Sequence, residues 1–211
     1  MTKKKLLVEG RDDQYSVINL VKAYISWPED PLEWPVKVEC YEGVPNLLAP
    51  AYVSAQLKAS DAAVLGILVD ADESASRRWD QLRPLCAKQF ACLPEILPGE
   101  GLISENGQRR LGVWIMPDNT PPGMLETFLG HLVPLDRANI WAHAESATNE
   151  AKAKGAPFKA AHFDKARIHA WLAWQDPAGL PFGTAITAQC LDPRSTCAEP
   201  FLRWFRDLYQ V

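Results

Sequence analysis

Apolar and polar positions along the chain follow two rhythms, one typical of strands and one typical of helices. Short apolar runs at residues 5–8 and 63–69 are typical of strands that are buried on both faces, and residues 111–116 predict another strand. Residues 36–41 alternate apolar and polar side chains, which predicts a half-buried strand. The chain therefore contains at least four strand-forming segments, two of which need cover on both sides.

The segments between and after these strands carry apolar residues every three or four positions, which predicts helices. The first of them is opened by Asp12 or Asp13. The predicted helices span residues 12–25, 47–57, 74–87, 124–132, 138–152, 163–174 and 201–209. The dipeptide Asn106-Gly107 favours a hairpin turn ahead of the last apolar run.

Strands that alternate with helices predict an α/β fold with a mostly parallel, Rossmann-like sheet and helices on both faces. We expect a single domain over residues 1–211, with a core at about residues 4–132 and a helical C-terminal extension at about residues 133–211. A chain of 211 residues is long enough to bury a sizeable core.

Composition narrows the function only slightly. The formal net charge is −4, so no overall basic field attracts nucleic acid, although a bound metal can supply positive charge locally. The five cysteines are odd in number and lack Cys-x-x-Cys spacing, which speaks against structural zinc and a disulfide framework. No apolar run is long enough to cross a membrane and no signal peptide is recognisable, so we expect a cytoplasmic protein with no membrane partner.

Acidic side chains end two of the predicted buried strands. Glu9 and Asp13 follow the first strand, and Asp70 and Asp72 follow the run at residues 63–69. Because ligands of open α/β sheets bind outside the carboxyl ends of the strands, we expect these carboxylates to converge if the strands are neighbours. Such a cluster needs a cation to stay ionised, and Mg²⁺ prefers oxygen ligands. The alternative for both pairs is a capping or dipole role at the start of a helix.

The two motifs together resemble a known family. A strand that ends in Glu9-Gly10 and, about sixty residues later, a strand that ends in Asp-x-Asp is similar to the Toprim domain of topoisomerases, primases and related nucleases. The spacing of Glu9 and Asp13 resembles the OLD-type nuclease version. Segments at residues 114–126 and 164–174 resemble small stand-alone Toprim-like proteins of unknown function, so the resemblance covers about residues 4–209.

The Toprim resemblance implies a nuclease that uses Mg²⁺ or Mn²⁺ to hydrolyse the phosphodiester bonds of DNA or RNA. It gives metal-ligand roles to Glu9, Asp13, Asp70, Asp72 and Glu126. Glu9 would also serve as a general acid or base. OLD-type nucleases use a later acidic residue and a lysine as well, for which Glu126 and Lys165 are the candidates. Lys165 would then neutralise a phosphate or a leaving oxygen.

Other functions stay open at this point. A non-catalytic Toprim-like module would bind nucleic acid or a partner ATPase in trans, since the chain has no Walker A sequence of its own. A receiver-like or phosphatase-like fold would also place acids and Mg²⁺ at strand ends. Asp118 can join the acidic cluster or make an Asx turn. The arginine pairs at residues 77–78 and 109–110 can contact phosphates or lie in solvent. The sequence is also compatible with a homo-oligomer.

Overall fold

A mostly parallel sheet forms the centre of the computed structural model, which describes residues 3–58 and 62–211. The strands are β1 (Lys3–Val8), β2 (Lys37–Cys40), β3 (Ala62–Asp70), β4 (Leu102–Asn106) and β5 (Arg109–Met116). Their order across the sheet is β2-β1-β3-β5-β4. β1 runs parallel to β2 and β3, and β5 runs parallel to β3, whereas β4 is antiparallel to β5. The predicted α/β class with a mostly parallel sheet is confirmed.

Helices connect and cover the strands. They are α1 (Arg11–Lys22), α2 (Val44–Leu47), α3 (Pro50–Lys58), α4 (Ala75–Ala87), α5 (Leu125–Gly130), α6 (Ala138–Ala153), α7 (Phe163–Leu172), α8 (Phe182–Thr187) and α9 (Glu199–Tyr209). Ser74 caps α4, because its hydroxyl accepts the N–H of Arg77 at 3.2 Å. Within residues 3–58 and 62–211, no helix is both long enough and apolar enough to span a membrane.

Two local predictions differ from the structure in detail. The helix predicted at residues 47–57 is two helices, because α3 begins at Pro50 and a proline lacks the N–H that would continue α2. The predicted hairpin is confirmed, but its two-residue loop is Gly107 and Gln108, one position later than Asn106-Gly107. Gly107 takes a positive φ of 62°, which a glycine adopts without steric cost.

Alternate residues of the strands face two separate hydrophobic cores. Leu6, Val8 and Leu68 belong to the first core, which also contains residues of α1, α5, α7, α8 and α9. Leu7 and Ile67 point to the opposite face and pack with residues of α3 and α4. The C-terminal helices therefore complete one face of the sheet rather than lying beside it. Whether residues 133–211 form a separable extension stays a prediction.

The last helix is seated on the sheet through two glycines. Gly66 and Gly112 are register partners on β3 and β5. A Cβ on Gly66 would lie 2.2 Å from the hydroxyl of Tyr209, and one on Gly112 would lie 2.3 Å from Leu208. The bare backbone at these positions lets α9 approach closely enough for the Tyr209 hydroxyl to donate to the carbonyl of Lys5 at 2.7 Å.

Candidate metal centre

The acidic residues of the two motifs lie in one cleft at the carboxyl ends of β1 and β3. Glu9 directly follows β1, and Asp70 is the last residue of β3, which pairs with β1. The cleft has a volume of about 500 Å³. Its lining residues with acidic or basic side chains are Glu9, Arg11, Asp12, Asp13, Glu42, Asp70, Asp72, Glu126 and Lys165, and His162 lines it as well. All five predicted metal ligands and the predicted lysine therefore share this cleft.

Glu9 links the two strands at their ends. Its Oε1 accepts the backbone N–H of Asp70 at 2.8 Å. Burial raises the pKa of Glu9 from 4.5 to about 7, and repulsion from Asp13 adds to the rise, while the bond from the Asp70 amide opposes it. A carboxyl group with a pKa near neutrality exchanges protons readily at physiological pH.

The two carboxylate oxygens of Asp13 differ in their contacts. Its Oδ2 accepts the N–H of Gly10 at 3.0 Å, which is the helix-start role that the sequence left open. Its other oxygen, Oδ1, is buried and has no hydrogen-bond partner among the described residues. The residue is only 7% exposed, and burial raises its pKa from 3.8 to about 6, with repulsion from Glu126 contributing. A buried carboxylate oxygen without a donor is costly unless a ligand completes it.

Asp70 is a further acid of the cleft whose pKa is raised. Its Oδ1 accepts the N–H of Leu125 at the start of α5 at 2.8 Å. Its pKa is raised well above the ordinary value, chiefly by burial and then by repulsion from Asp13, Glu9 and Glu126. Asp70 therefore stays protonated to higher pH than a free aspartate unless a cation neutralises its neighbours.

Asp72 differs from Asp70 although the two are separated by a single residue. Its backbone has a positive φ of 52° and forms a two-way bridge with Gly123. Its side chain is 52% exposed and pairs with Arg78. The guanidinium of Arg78 also donates through Nε to the carbonyl of Asp70 at 2.8 Å. The Asp-x-Asp motif thus contributes one buried carboxylate and one carboxylate already paired with an arginine.

Glu126 and Lys165 form an ion pair across the cleft. Lys165 Nζ lies 2.9 Å from Glu126 Oε1, with side-chain exposures of 50% for the lysine and 5% for the glutamate. The bond to Glu126 is the main cause of the raised pKa of Lys165, which burial partly offsets. Glu126 comes from α5 and Lys165 from α7, so the C-terminal third of the chain supplies a cation to the acidic cleft.

The carboxylates fit a hard divalent cation by their chemistry, although each is turned to a protein donor as it stands. Within residues 3–58 and 62–211, no set of three or more His, Cys, Asp or Glu side chains is arranged to hold a metal ion. One oxygen each of Glu9 and Asp70 accepts a backbone N–H, and Asp72 and Glu126 pair with Arg78 and Lys165. Asp13 Oδ1 has no partner among the described residues, and burial together with neighbouring carboxylates raises the pKa values of Asp13 and Asp70. A cation with oxygen ligands would relieve both.

A family comparison covers both acidic motifs and the C-terminal helices. A family model described as a protein of unknown function, DUF3226, matches residues 3–210. The chain belongs to the DUF3226 family. No curated protein and no solved structure matches it. Within this DUF3226 protein, the family match therefore includes Lys165 as well as Glu9 and Asp70.

Other sequence candidates of this DUF3226 protein lie elsewhere. Asp118 is exposed and accepts the N–H of Thr120 at 3.4 Å, in keeping with an Asx turn, and it does not line the cleft. Arg110 donates to the carbonyl of Leu208, and Arg109 donates to that of Leu57. Both arginines sit at the start of β5, away from the carboxyl ends of the parallel strands. They support the packing of α3 and α9 instead of the acidic cluster.

Sequence reasoning missed residues whose roles depend on contacts between distant elements. His162 lines the acidic cleft and also a neighbouring groove. Thr127 donates to Asp164 at 2.7 Å and so ties α5 to α7 beside the ion pair of Glu126 and Lys165. The arginine pair at 77–78 signalled a basic position, but nothing in the sequence indicated that Arg78 would pair with Asp72.

Proposed function

We propose that this protein is a cytoplasmic, metal-dependent nuclease of the Toprim type, which hydrolyses phosphodiester bonds of DNA or RNA. One observation carries the proposal: Asp13 lines the acidic cleft and has a buried oxygen without a partner among the described residues, while burial and neighbouring carboxylates raise the pKa values of Asp13 and Asp70. A cluster of this kind is under-neutralised without a ligand of positive charge. Mg²⁺ or Mn²⁺ is the ligand that carboxylate oxygens select.

The resemblance to Toprim domains receives support from topology. That resemblance assigns the two acidic motifs to strand ends, and β1 and β3 are neighbouring parallel strands. Glu9 and Asp70 therefore meet at one edge of the sheet. The residues that would hold a metal there are Glu9, Asp13, Asp70, Asp72 and Glu126. When bound, the metal would activate water and stabilise the leaving oxygen of a phosphodiester.

The protein's own residues supply the rest of the chemistry. Glu9, with a pKa of about 7, can accept a proton from water or give one to the leaving oxygen at neutral pH. Lys165 reaches into the cleft with an ammonium group that its pairing with Glu126 holds in place. With Glu126 serving as a metal ligand, Lys165 would be able to bind a non-bridging oxygen of the phosphate. Arg78 keeps the turn after β3 in place through its bond to the carbonyl of Asp70.

A second candidate is a non-catalytic Toprim-like module that binds nucleic acid or a partner ATPase. The observation that favours it is internal neutralisation, since Arg78 and Lys165 already pair with Asp72 and Glu126. A site of this kind can be kept folded by its own ion pairs without a metal. The two candidates differ in whether metal binding and cleavage occur in the isolated chain.

The test is titration of Mg²⁺ and Mn²⁺ by calorimetry, combined with cleavage assays on plasmid DNA and on RNA. Asp70→Asn keeps an oxygen for the Leu125 amide and removes the negative charge, so we expect both metal binding and cleavage to be lost. Asp80→Asn is the matched control, because Asp80 is exposed on α4 and lies outside the cleft. Cleavage by Asp70→Asn at the wild-type rate would contradict the proposal. Metal binding without cleavage in the wild type would favour the non-catalytic module.

A further inference from the structure

A second cleft adjoins the acidic one and is lined by more basic than acidic side chains. It has a volume of about 360 Å³ and shares Asp72, Met124 and His162 with the acidic cleft. Its other charged lining residues are Glu73, Arg77, Arg78 and Lys159. We call it the basic groove.

The three cations of the basic groove differ in how firmly other side chains hold them. The side chain of Arg78 is only 10% exposed and is held by Asp72, Gln81 and the carbonyl of Asp70. Arg77 is 73% exposed, and its contact is a 3.7 Å surface pair with Glu73, of a kind that contributes little energy. Lys159 is exposed and forms no ion pair within residues 3–58 and 62–211. Lys159 is therefore open to an anion, and Arg77 can exchange its weak surface pair with Glu73 for one.

The position of the groove decides which anion is expected. It opens beside the residues that would hold the reacting phosphodiester and is continuous with them through Asp72 and His162. The chain as a whole is acidic, with a formal charge of −4, so a polyanion needs a local basic surface to approach the carboxylates. A nucleic-acid strand carries a second phosphate next to the one under attack, and this second phosphate would bind to the basic surface.

We propose that the basic groove binds a second phosphate of the substrate strand, adjacent to the phosphodiester in the acidic cleft. Arg77 and Lys159 contact this phosphate. This inference rests on the proposed nuclease function and sharpens it, because it makes the substrate a nucleic-acid strand and not a small diester. Phosphate contacts of this kind fix position and affinity without reading sequence.

The test compares two substrates in two double variants. Arg77→Ser/Lys159→Ser removes the available cations, and Lys88→Ser/Arg194→Ser removes the same charge from exposed residues outside both clefts. Bis(p-nitrophenyl) phosphate carries one phosphate, whereas a fluorescein-labelled single-stranded oligonucleotide carries many. We expect the groove variant to raise KM for the oligonucleotide about tenfold and to leave hydrolysis of the small diester unchanged. The control variant should resemble the wild type on both substrates.

A binding measurement separates failure of this inference from failure of the nuclease proposal. Fluorescence anisotropy of the labelled oligonucleotide is followed over a salt series, where loss of one phosphate contact lowers the slope of log K against log salt by about 0.7. Equal oligonucleotide affinity in the groove and control variants would overturn the inference even if the wild type cleaves. An absence of oligonucleotide binding in the wild type would overturn it too. Weaker binding in the groove variant alone would uphold the groove even if no substrate is cleaved.

Discussion

The contact of α9 with Gly66 and Gly112, which we call the seat of α9, lies on the same sheet as the acidic cleft. The two regions differ in how fully their buried groups are packed and hydrogen-bonded. At the seat, two glycines accept a helix without a gap, and the buried Tyr209 hydroxyl has its hydrogen bond. At the cleft, carboxylates are buried against one another and Asp13 Oδ1 has no partner among the described residues. The close packing at the seat stabilises the fold. The buried carboxylates of the cleft lower the free energy of unfolding, and a bound cation would raise it again. Substitutions at the two places should therefore act in opposite directions.

The largest effect is expected at the seat. In Gly66→Ala/Gly112→Ala, the added methyl groups would overlap Tyr209 and Leu208, so α9 must move away from the sheet. We expect a loss of about 5 kcal/mol in the free energy of unfolding, measured by urea denaturation. Gly99→Ala is the control, since its Cβ would have no neighbour closer than 3.9 Å. A double variant as stable as that control would show that α9 does not need the close approach.

The next effect is a pH dependence that arises in the cleft. Burial raises the pKa of Glu9 from 4.5 to about 7, so between these values the folded state keeps a proton that the unfolded state releases. The stabilisation is complete below about pH 4.5 and is lost as pH rises through 7, with a total of about 3 kcal/mol from this group. Without divalent metal, the melting temperature should fall from pH 5 to pH 8. Saturating Mg²⁺ should reduce that fall, and a flat metal-free profile would contradict the burial of Glu9.

The smallest effect is a gain in stability from damaging the site. Asp13→Asn removes a buried charge whose pKa is raised to about 6, and it leaves an oxygen that can accept from Gly10. We expect about 2 kcal/mol of added stability at pH 8 without metal and about half as much at pH 5, because the gain disappears only below the ordinary pKa of 3.8. Metal binding should be lost in the same variant. Thermal melts at the two pH values check this, with Asp80→Asn as the exposed control; a destabilised variant at pH 8 would speak against an under-neutralised cleft.

The sheet and part of the cleft could be predicted because their signals are local. Apolar runs that end in Glu9 and Asp70 indicate buried parallel strands, and the topology of such sheets brings their ends together. Helical spacing in the same way predicts α1 and α7 close to where they occur. For these elements the pattern of neighbours in the chain contains the information.

The rest depends on partners that are distant in sequence. The strand β4 ends in polar residues and so shows no apolar run of its own. The spacing of Asp-x-Asp reveals neither the positive φ of Asp72 nor its pairing with Arg78. Lys165 was indicated by resemblance alone, since only the packing of α7 against α5 brings it to Glu126. Gly66 read as an ordinary strand residue because its contact, Tyr209, lies at the other end of the chain.

The hydrogen bonds between β1 and α9 join two segments that are synthesised at different times. Lys4 Nζ donates to the carbonyl of Tyr209, and the Tyr209 hydroxyl donates to the carbonyl of Lys5. During synthesis, β1 leaves the ribosome before residues 199–209, which complete this face of the sheet. In that interval the nascent sheet exposes a surface that chaperones recognise and that favours aggregation. Expression yield should therefore respond to chaperone supply more strongly than the stability of the finished protein would suggest.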